Sequence, residues 1–531
     1  MEERESPGAP GNALPHGFRH RLEWLRRKAA REPIPVPSEP PNSTSPKRAV
    51  VRSPRGTRLS CKGWDQEAAL RVLMNSLDPD IAERAEFFDD PGPCGAARQP
   101  VQDWAAYFAI AEALKSLENN QTLLAQSGRL ARILRTSVAA PRVLIDAKTT
   151  AASWMYVGTQ GSLEETYETF RAAAQRHFGG DLAGRLVVSA GMGGRGGAQP
   201  LAAQLNGAAF LGIDADPARI KRRVKGGYCD VMVTSLDEAL RILKNAVRQR
   251  AARSVGLVGN AADVMRELAQ RGVVPDLLTD RTAAHDPLCG YWPQSLDLAQ
   301  AAELRRRDPA EARRRSLDSI STQVPAMLEL RTLGAILFDF GNQLFARARD
   351  AGVEGADTVT GFAETCLATA LTENRAPLRW IALSGELADI DRIDRLALEI
   401  FPDDERLHTW LPLAQKHVRS QGLPARVCWI PVSKRARLCV AVNDLVARGE
   451  LRAPVVLGRD FLECGPGAEP AGESSEPPLM ESAGGAISSR VQAILDGARG
   501  ASWATTQGRA TAIAADGTPA AAARIELVMN R

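Results

Sequence analysis

Residues 185–200 read Arg-Leu-Val-Val-Ser-Ala followed by Gly-Met-Gly-Gly-Arg-Gly-Gly-Ala-Gln-Pro, and no other stretch constrains the fold as strongly. A short apolar strand, Leu186–Ala190, runs into a loop in which Gly191, Gly193 and Gly196 form a GxGxxG pattern. Glycines between a buried strand and a helix permit a tight turn and let backbone N–H groups approach a pyrophosphate at the helix start. Pro200 suits the first turn of that helix, where its missing donor costs nothing. The next strand, Ala209–Asp214, ends in Gly-Ile-Asp-Ala-Asp. Asp214 or Asp216 therefore stands about 20 residues on, where a carboxylate can accept ribose hydroxyls. A dinucleotide is the natural ligand of this arrangement, and a turn needed only for helix–sheet packing is the alternative.

The same alternation continues along the chain. Pro200–Asn206 reads as a helix, followed by the helix Leu236–Arg250, the strand Val255–Val258, the helix Ala261–Arg271 and the strand Leu277–Thr279. Strands and helices at this spacing specify an α/β fold with a parallel sheet covered on both faces. Gly259-Asn-Ala-Ala262 and the segment from Thr279 to Pro287 follow strands of that sheet, where ligands of such sheets bind. His285 lies in the second of these loops, although a histidine in such a place more often caps or packs than catalyses. Helical periodicity also marks Asp65–Leu77 and Trp104–Leu117, an Arg- and Pro-punctuated stretch covers Arg129–Ile145, and short strands are expected at Ala335–Phe338 and Val455–Leu457.

Charge and composition narrow the partners. The 531 residues carry 67 Lys or Arg against 63 Asp or Glu, and a net charge of +4 gives no reason to invoke nucleic acid. Met1–Gly56 holds ten of the 33 prolines, eleven basic residues and six acids, so a disordered basic tail of +5 precedes a remainder of 4 − 5 = −1. Phe18, Leu22 and Leu25 share one helical face within it. No apolar run approaches the roughly 18 residues of a membrane span, and the start lacks a secretory pattern, so a cytosolic protein is expected. The eight cysteines form no CxxC pair, which disfavours a zinc cage or a disulfide framework and leaves most of them as buried thiols. No metal site is expected. The chain divides into the tail 1–56, an N-terminal part of a core domain 57–184, a nucleotide-binding domain 185–330, and a C-terminal part of the core 331–531 with a flexible loop at 465–485.

The stretch SAGMGGRGGAQPLAAQLNGAAFLGIDADPARIKRRVKGGYCDVM closely resembles the nucleotide-binding segment of the urocanase (urocanate hydratase) family. The resemblance continues in LVGNAADV, DRTAAHDPLCGYWP, FDFGNQ, RWIALSGELADI, QGLPARVCW and APVVLGRDFLECG, and covers Thr57 to about Thr518 in one order. It implies a Rossmann-like NAD-binding domain inserted in a mixed α/β core, and a homodimer. It also implies a hydro-lyase that adds water to urocanate to give 4-imidazolone-5-propanoate, with tightly bound NAD⁺ acting as an electrophile rather than a hydride carrier. Carried over by position, Gly194, Arg195 and Gly196 would meet the phosphates, Asp214 the ribose and Arg219 the adenosine part. Asn260, Ala261, Arg281, Thr282, Ala283, Ala284, His285, Tyr291 and Phe340 match the remaining nucleotide and active-site loops. Cys428 matches the family's active-site cysteine, although by composition alone a Cys between Val and Trp reads as a core thiol. Arg379 matches the arginine that would pair with the substrate carboxylate, and His285, Asp460 and Glu463 are candidates for proton transfer.

The departures from the family pattern lie at the reactive lining. Asp214 stands for the usual Glu, Arg281 for a Gln, Phe340 for a Tyr and Lys148 for a Gln. The segments Asp90–Cys94, Asp146–Trp154, Phe461–Pro470 and Ala504–Gly508 replace longer or more polar family loops. Beside urocanate hydration, two further readings therefore stand: a paralogous hydratase of a modified imidazole or another heteroaryl acrylate, and a catalytically silent NAD-binding homologue. A conventional dehydrogenase is the reading that the GxGxxG pattern alone would invite.

Overall fold

The computed structural model describes residues 51–82, 100–146, 153–361, 372–459, 489–507 and 510–531. The chain begins one sheet with β1 (Gln121–Gln126), β2 (Arg129–Arg135) and β3 (Val143–Asp146). It then leaves to build a second sheet from β4 (Leu186–Ala190), β5 (Ala209–Asp214), β6 (Val231–Val233), β7 (Arg253–Val258), β8 (Leu277–Leu278) and β9 (Ile336–Leu337). It returns to complete the first with β10 (Arg375–Ala382), β11 (Ala425–Pro431), β12 (Val455–Arg459), β13 (Trp503–Thr505) and β14 (Thr511–Ala515). The first sheet is mixed, in the order β11-β10-β12-β14-β13-β3-β1-β2, and the second is wholly parallel, in the order β6-β7-β5-β4-β8-β9. The α/β fold is thus a Rossmann-like parallel-sheet unit inserted between β3 and β10 of a mixed-sheet unit.

Local chemistry explains the parallel unit. Val187, Val188, Phe210, Leu211, Ile213 and Val255 are fully buried, as strands covered on both faces must be. The helices between them start on side-chain caps: Asp216 for Pro217–Lys225, Ser235 for Leu236–Arg248 and Asn260 for Ala261–Gln270. Helix Pro217–Lys225 and strand β6 are absent from the sequence reading. Only Ile220 and Arg223 of that helix are buried, so its apolar stripe is too thin to see, and β6 has three residues. From β4 the chain fills one side of the sheet with β5, β7 and β6, then crosses to the other with β8 and β9. The switch between β4 and β8 opens a crevice at their carboxyl ends.

Three other expectations change. The stretch 129–145 contains β2 and most of β3; β2 carries an arginine at every third position of Arg-Leu-Ala-Arg-Ile-Leu-Arg, which a strand at one edge of the mixed sheet tolerates. The parallel sheet runs past residue 330, since β9 pairs with β8. Residues 51–56, assigned to the tail, pack on the core: Val51 is buried, the Gly56 N–H donates to the Leu383 carbonyl at 3.0 Å, and Arg52 meets Asp78 and Asp80. The rest of the tail lies outside the described residues, as do Lys148, the segment 90–94 and the loop 465–485.

One apolar cluster joins the two sheets. Phe170, Leu201 and Phe210 from the parallel unit meet Leu378, Trp380, Cys428 and Ile430 from the mixed sheet. Helix Leu163–His177 sits within this cluster through Leu163, Tyr167 and Phe170. The turn before it, Thr159–Ser162, therefore lies where the units meet.

Candidate active site

Gly191 begins the loop after β4 with φ of +86°, and a Cβ there would lie 2.5 Å from the Thr282 backbone nitrogen. A Cβ on Gly196 would lie 2.9 Å from the Gly191 carbonyl carbon and closer still to its oxygen. The loop thus folds on itself and against the segment after β8, at distances only glycine allows. Gly193 differs, because nothing nearer than Arg219 Nη1, at 3.9 Å, would meet its Cβ. Gln199 fastens the loop from below: its Nε2 donates to the carbonyls of Gly191 (3.3 Å) and Gly196 (3.1 Å), and its Oε1 accepts from the Ser189 hydroxyl (2.6 Å). Arg223, fully buried, donates to the Met192 carbonyl at 3.0 Å.

Asp214 ends β5 with its carboxylate nearly sealed from solvent. One oxygen accepts from the Met192 N–H at 2.7 Å, the other from the Asp216 N–H at 2.9 Å, and Arg219 Nη1 stands 3.5 Å away. It therefore braces the glycine loop, and a carboxylate with about four acceptor sites keeps capacity for a ribose hydroxyl. Asn260 caps its helix by accepting from the Ala262 N–H (3.0 Å) and donates to the Trp292 carbonyl (2.9 Å). Behind the segment after β8, buried Asp280 accepts from Thr282 through both its N–H (2.8 Å) and hydroxyl (2.6 Å), from Asn342 (2.6 Å) and from Gln323 (2.7 Å). Burial raises its carboxyl above the ordinary aspartate range, and these donors oppose the rise. Tyr291 completes the group by donating to Gln323 at 2.6 Å.

These loops enclose a cavity of about 250 Å³. Gly194, Arg195, Gly196, Asp214, Arg219, Asn260, Ala261, Arg281, Thr282, Ala283, His285, Tyr291 and Phe340 all line it. Ala284 is buried beside them without lining it. Trp292 and Asn342 also line the cavity and were not singled out from sequence, although both lie in quoted motifs. A signal for Asn342 exists only in the backbone, where the next residue, Gln343, adopts a left-handed φ of +66° that a side-chain-bearing residue rarely takes. Arg281 is engaged rather than free: it donates to Glu165 (2.9 Å) and Thr166 (2.8 Å) and lies 4.1 Å over the Phe340 ring. Two departures from the family pattern, Arg281 and Phe340, thus pack on each other. Cys289, just beyond, is disulfide-bonded, so the reduced-thiol expectation holds for Cys61, Cys229, Cys428 and Cys439 and fails there. Among the described residues, no group of His, Cys, Asp or Glu could hold a metal ion, and no helix is long and apolar enough to cross a membrane.

Arg379 and Cys428 stand on neighbouring strands of the mixed sheet but face opposite ways. Arg379 pairs with Val427 and Leu378 with Cys428, and cross-strand partners share a face. Arg379, 3% exposed, is on the face of Ile381 and Met155, and a Cβ on Gly161 would lie 3.9 Å from its Nη1. It thus stands one turn behind the glycine loop, whose Arg195 carbonyl accepts from the Ser162 hydroxyl at 3.4 Å. Cys428 points into the shared core and does not line the cavity. Asp460 and Glu463 lie outside the described residues.

Around Cys428 the core holds charge. Arg426 forms a fork on Asp394 at 2.8 and 3.0 Å, and Glu164 accepts from the Trp429 N–H at 3.0 Å. Burial pushes the Cys428 thiol well above its ordinary range, and nearby Glu164 and Asp394 add to the rise. Thiol labelling of native protein should therefore leave Cys428 unmodified until the chain unfolds. Mass spectrometry that finds Cys428 labelled within seconds under native conditions contradicts that placement.

Burial also raises the Glu164 carboxyl well above 4.5, with Glu168 adding to the rise and the Trp429 N–H opposing it. A carboxyl raised on folding stabilises fully below its unfolded value and loses that contribution as pH climbs through its folded value. Glu164→Gln keeps a carbonyl acceptor without the charge. The melting temperature of the wild type should accordingly fall relative to that of E164Q as pH rises above 4.5. Parallel melting curves across pH would show Glu164 ionised without cost.

Three family models match in order: the urocanase N-terminal domain over residues 51–187, the urocanase Rossmann-like domain over 158–366, and the urocanase C-terminal domain over 370–531. The Rossmann-like match spans the parallel sheet through β9 and includes the 159–162 turn. With all three domains matched and the glycine loop, Asp214, Asn260, Thr282 and His285 gathered at one crevice, the chain belongs to the urocanase family.

Proposed function

We propose that the protein hydrates urocanate to 4-imidazolone-5-propanoate using bound NAD⁺. The observation that carries this reading is the convergence of the loops after β4, β5, β7, β8 and β9 on one glycine-lined crevice in a chain of this family. The residues fit such a nucleotide. Gly193 leaves open space, Arg195 supplies a cation for a pyrophosphate, and the buried Trp292 indole N–H has no acceptor among the described residues. A cavity of about 250 Å³ encloses part of a dinucleotide, since pockets for whole small ligands run roughly 300–1,000 Å³.

Gly194, Arg195 and Gly196 would hold the phosphates, Asp214 a ribose, and Asn260 and Thr282 the loops against which the ring end rests. When bound, NAD⁺ supplies a cationic pyridinium that draws electrons from the imidazole so that water can add to the conjugated side chain. Arg379 would take the substrate carboxylate on a planar two-point donor. Tyr291 and Phe340, both buried, keep bulk water from the ring end. His285 lines the cavity and is the described group best placed to hold or move a proton, with Asp460 a further candidate. A homodimer, implied by the family, and a cytosolic location, expected from the sequence, belong to the same reading.

The alternative of a modified imidazole or another heteroaryl acrylate draws on Arg281, Lys148 and Phe340. Glu165 at 2.9 Å pairs with Arg281, so that residue brings no unbalanced charge to the site and gives no reason to prefer another acrylate over urocanate. The test is direct: purified protein supplied with NAD⁺ should remove the near-ultraviolet absorbance of urocanate. A preparation that binds NAD⁺ but leaves the spectrum unchanged overturns urocanate hydration, and only one that turns over no substituted acrylate either is a silent homologue.

A further inference from the structure

Arg223 is a fully buried arginine below the glycine loop that no role described so far uses as more than a brace. Its Nε donates to the Met192 carbonyl at 3.0 Å, while its Nη1 donates to the hydroxyl of Thr159, itself fully buried. Met192 is the residue whose N–H is held by Asp214, and a Cβ on Gly197 would collide with the Arg223 side chain. The guanidinium is therefore wedged between the nucleotide loop and the 159–162 turn. That turn continues to Gly161, where a Cβ would lie 3.9 Å from Arg379, and to Ser162, which donates to the Arg195 carbonyl. Arg281 grips the next residues, Glu165 and Thr166, from the same cavity. The segment 159–166 is thus held from the nucleotide side at three points and passes beside Arg379 on the other.

We propose that Arg223 is a positioning residue that couples nucleotide binding to the substrate side, by transmitting the position of the glycine loop through Thr159 to the turn beside Arg379. A nucleotide that fixes the Met192–Gly197 backbone fixes the Arg223 fork, and the fork sets how the turn lies against the Arg379 guanidinium. Lysine at position 223 keeps the charge and loses the two-direction geometry. Valine at position 159 keeps the side-chain outline and removes the acceptor.

The inference rests on NAD⁺ binding in the crevice, and the experiment separates the two. Full-length wild type, Arg223→Lys and Thr159→Val are titrated with NAD⁺ by calorimetry. Amide exchange of the 159–166 peptides is followed with and without NAD⁺. The affinity for 3-(imidazol-4-yl)propanoate, which cannot be hydrated, is measured in both states. In the wild type, NAD⁺ should slow exchange at 159–166 and tighten the propanoate by about fivefold or more, the low end of ordinary coupling between sites. In both variants NAD⁺ should still bind, with the tightening below about twofold and the exchange unchanged. A role confined to stability lowers the melting temperature and leaves the coupling ratio as in the wild type, which overturns the proposal. If Arg223→Lys does not fold, Thr159→Val alone decides. NAD⁺ that binds wild type and variants with equal slowing overturns the coupling and spares the hydratase reading, whereas failure of the wild type to bind NAD⁺ overturns both.

Discussion

Replacing Gly191 with alanine is expected to weaken NAD⁺ binding by about a hundredfold, roughly 2.7 kcal/mol. Two independent costs converge there. The backbone sits at φ of +86°, and an L side chain in left-handed conformations costs roughly 1–2 kcal/mol. The new Cβ would also lie 2.5 Å from the carbonyl carbon of Arg281 and the nitrogen of Thr282, which are backbone atoms that no rotamer change can move. Either the glycine loop or the segment after β8 must shift, and both line the crevice. Calorimetric titration with NAD⁺, with far-ultraviolet dichroism to confirm folding, checks this. An affinity within threefold of the wild type contradicts it.

The second large effect falls on the other side of the turn. Arg379→Gln should reduce kcat/KM for urocanate by two to three orders of magnitude, roughly 3–4 kcal/mol, as expected when one partner of a buried charge pair is removed. NAD⁺ affinity should change little, because Arg379 does not line the nucleotide cavity. Arg379→Lys should recover only part of the loss, since a point charge cannot reproduce the planar fork. Steady-state kinetics on variants whose melting temperatures match the wild type decide the matter. A kcat/KM within fivefold of the wild type would remove Arg379 from substrate binding.

The parallel unit was legible because its strands are continuous apolar runs and its turns are glycine-rich. Leu186–Ala190, Ala209–Asp214 and the loop at Gly191–Gly196 stand where the sequence places them. Pro217–Lys225 escaped notice because a helix with two buried residues carries almost no periodic signal. β2 escaped because a strand at a sheet edge tolerates the polar residues that sequence patterns assign to loops.

At the site, the loops after parallel strands announce themselves by position, and nearly every residue assigned to them lines the cavity. Orientation across the mixed sheet is another matter. Motif matching brings Arg379 and Cys428 together in one list, yet the period-two alternation of β10 and β11 sends them to opposite faces once register is fixed. Register depends on pairing between strands about 50 residues apart and is not written in either strand alone. Arg223 was hidden for a similar reason, since its partners Met192 and Thr159 are 31 and 64 residues away.

The most direct measurement strips the purified protein of nucleotide and follows urocanate loss as NAD⁺ is added back. A pyridinium held in the crevice as an electron sink requires activity that is absent without NAD⁺, rises to saturation as NAD⁺ occupies the protein, and produces no NADH absorbance during turnover. Hydration at full rate by nucleotide-free protein, or NADH appearing in step with urocanate loss, contradicts the account.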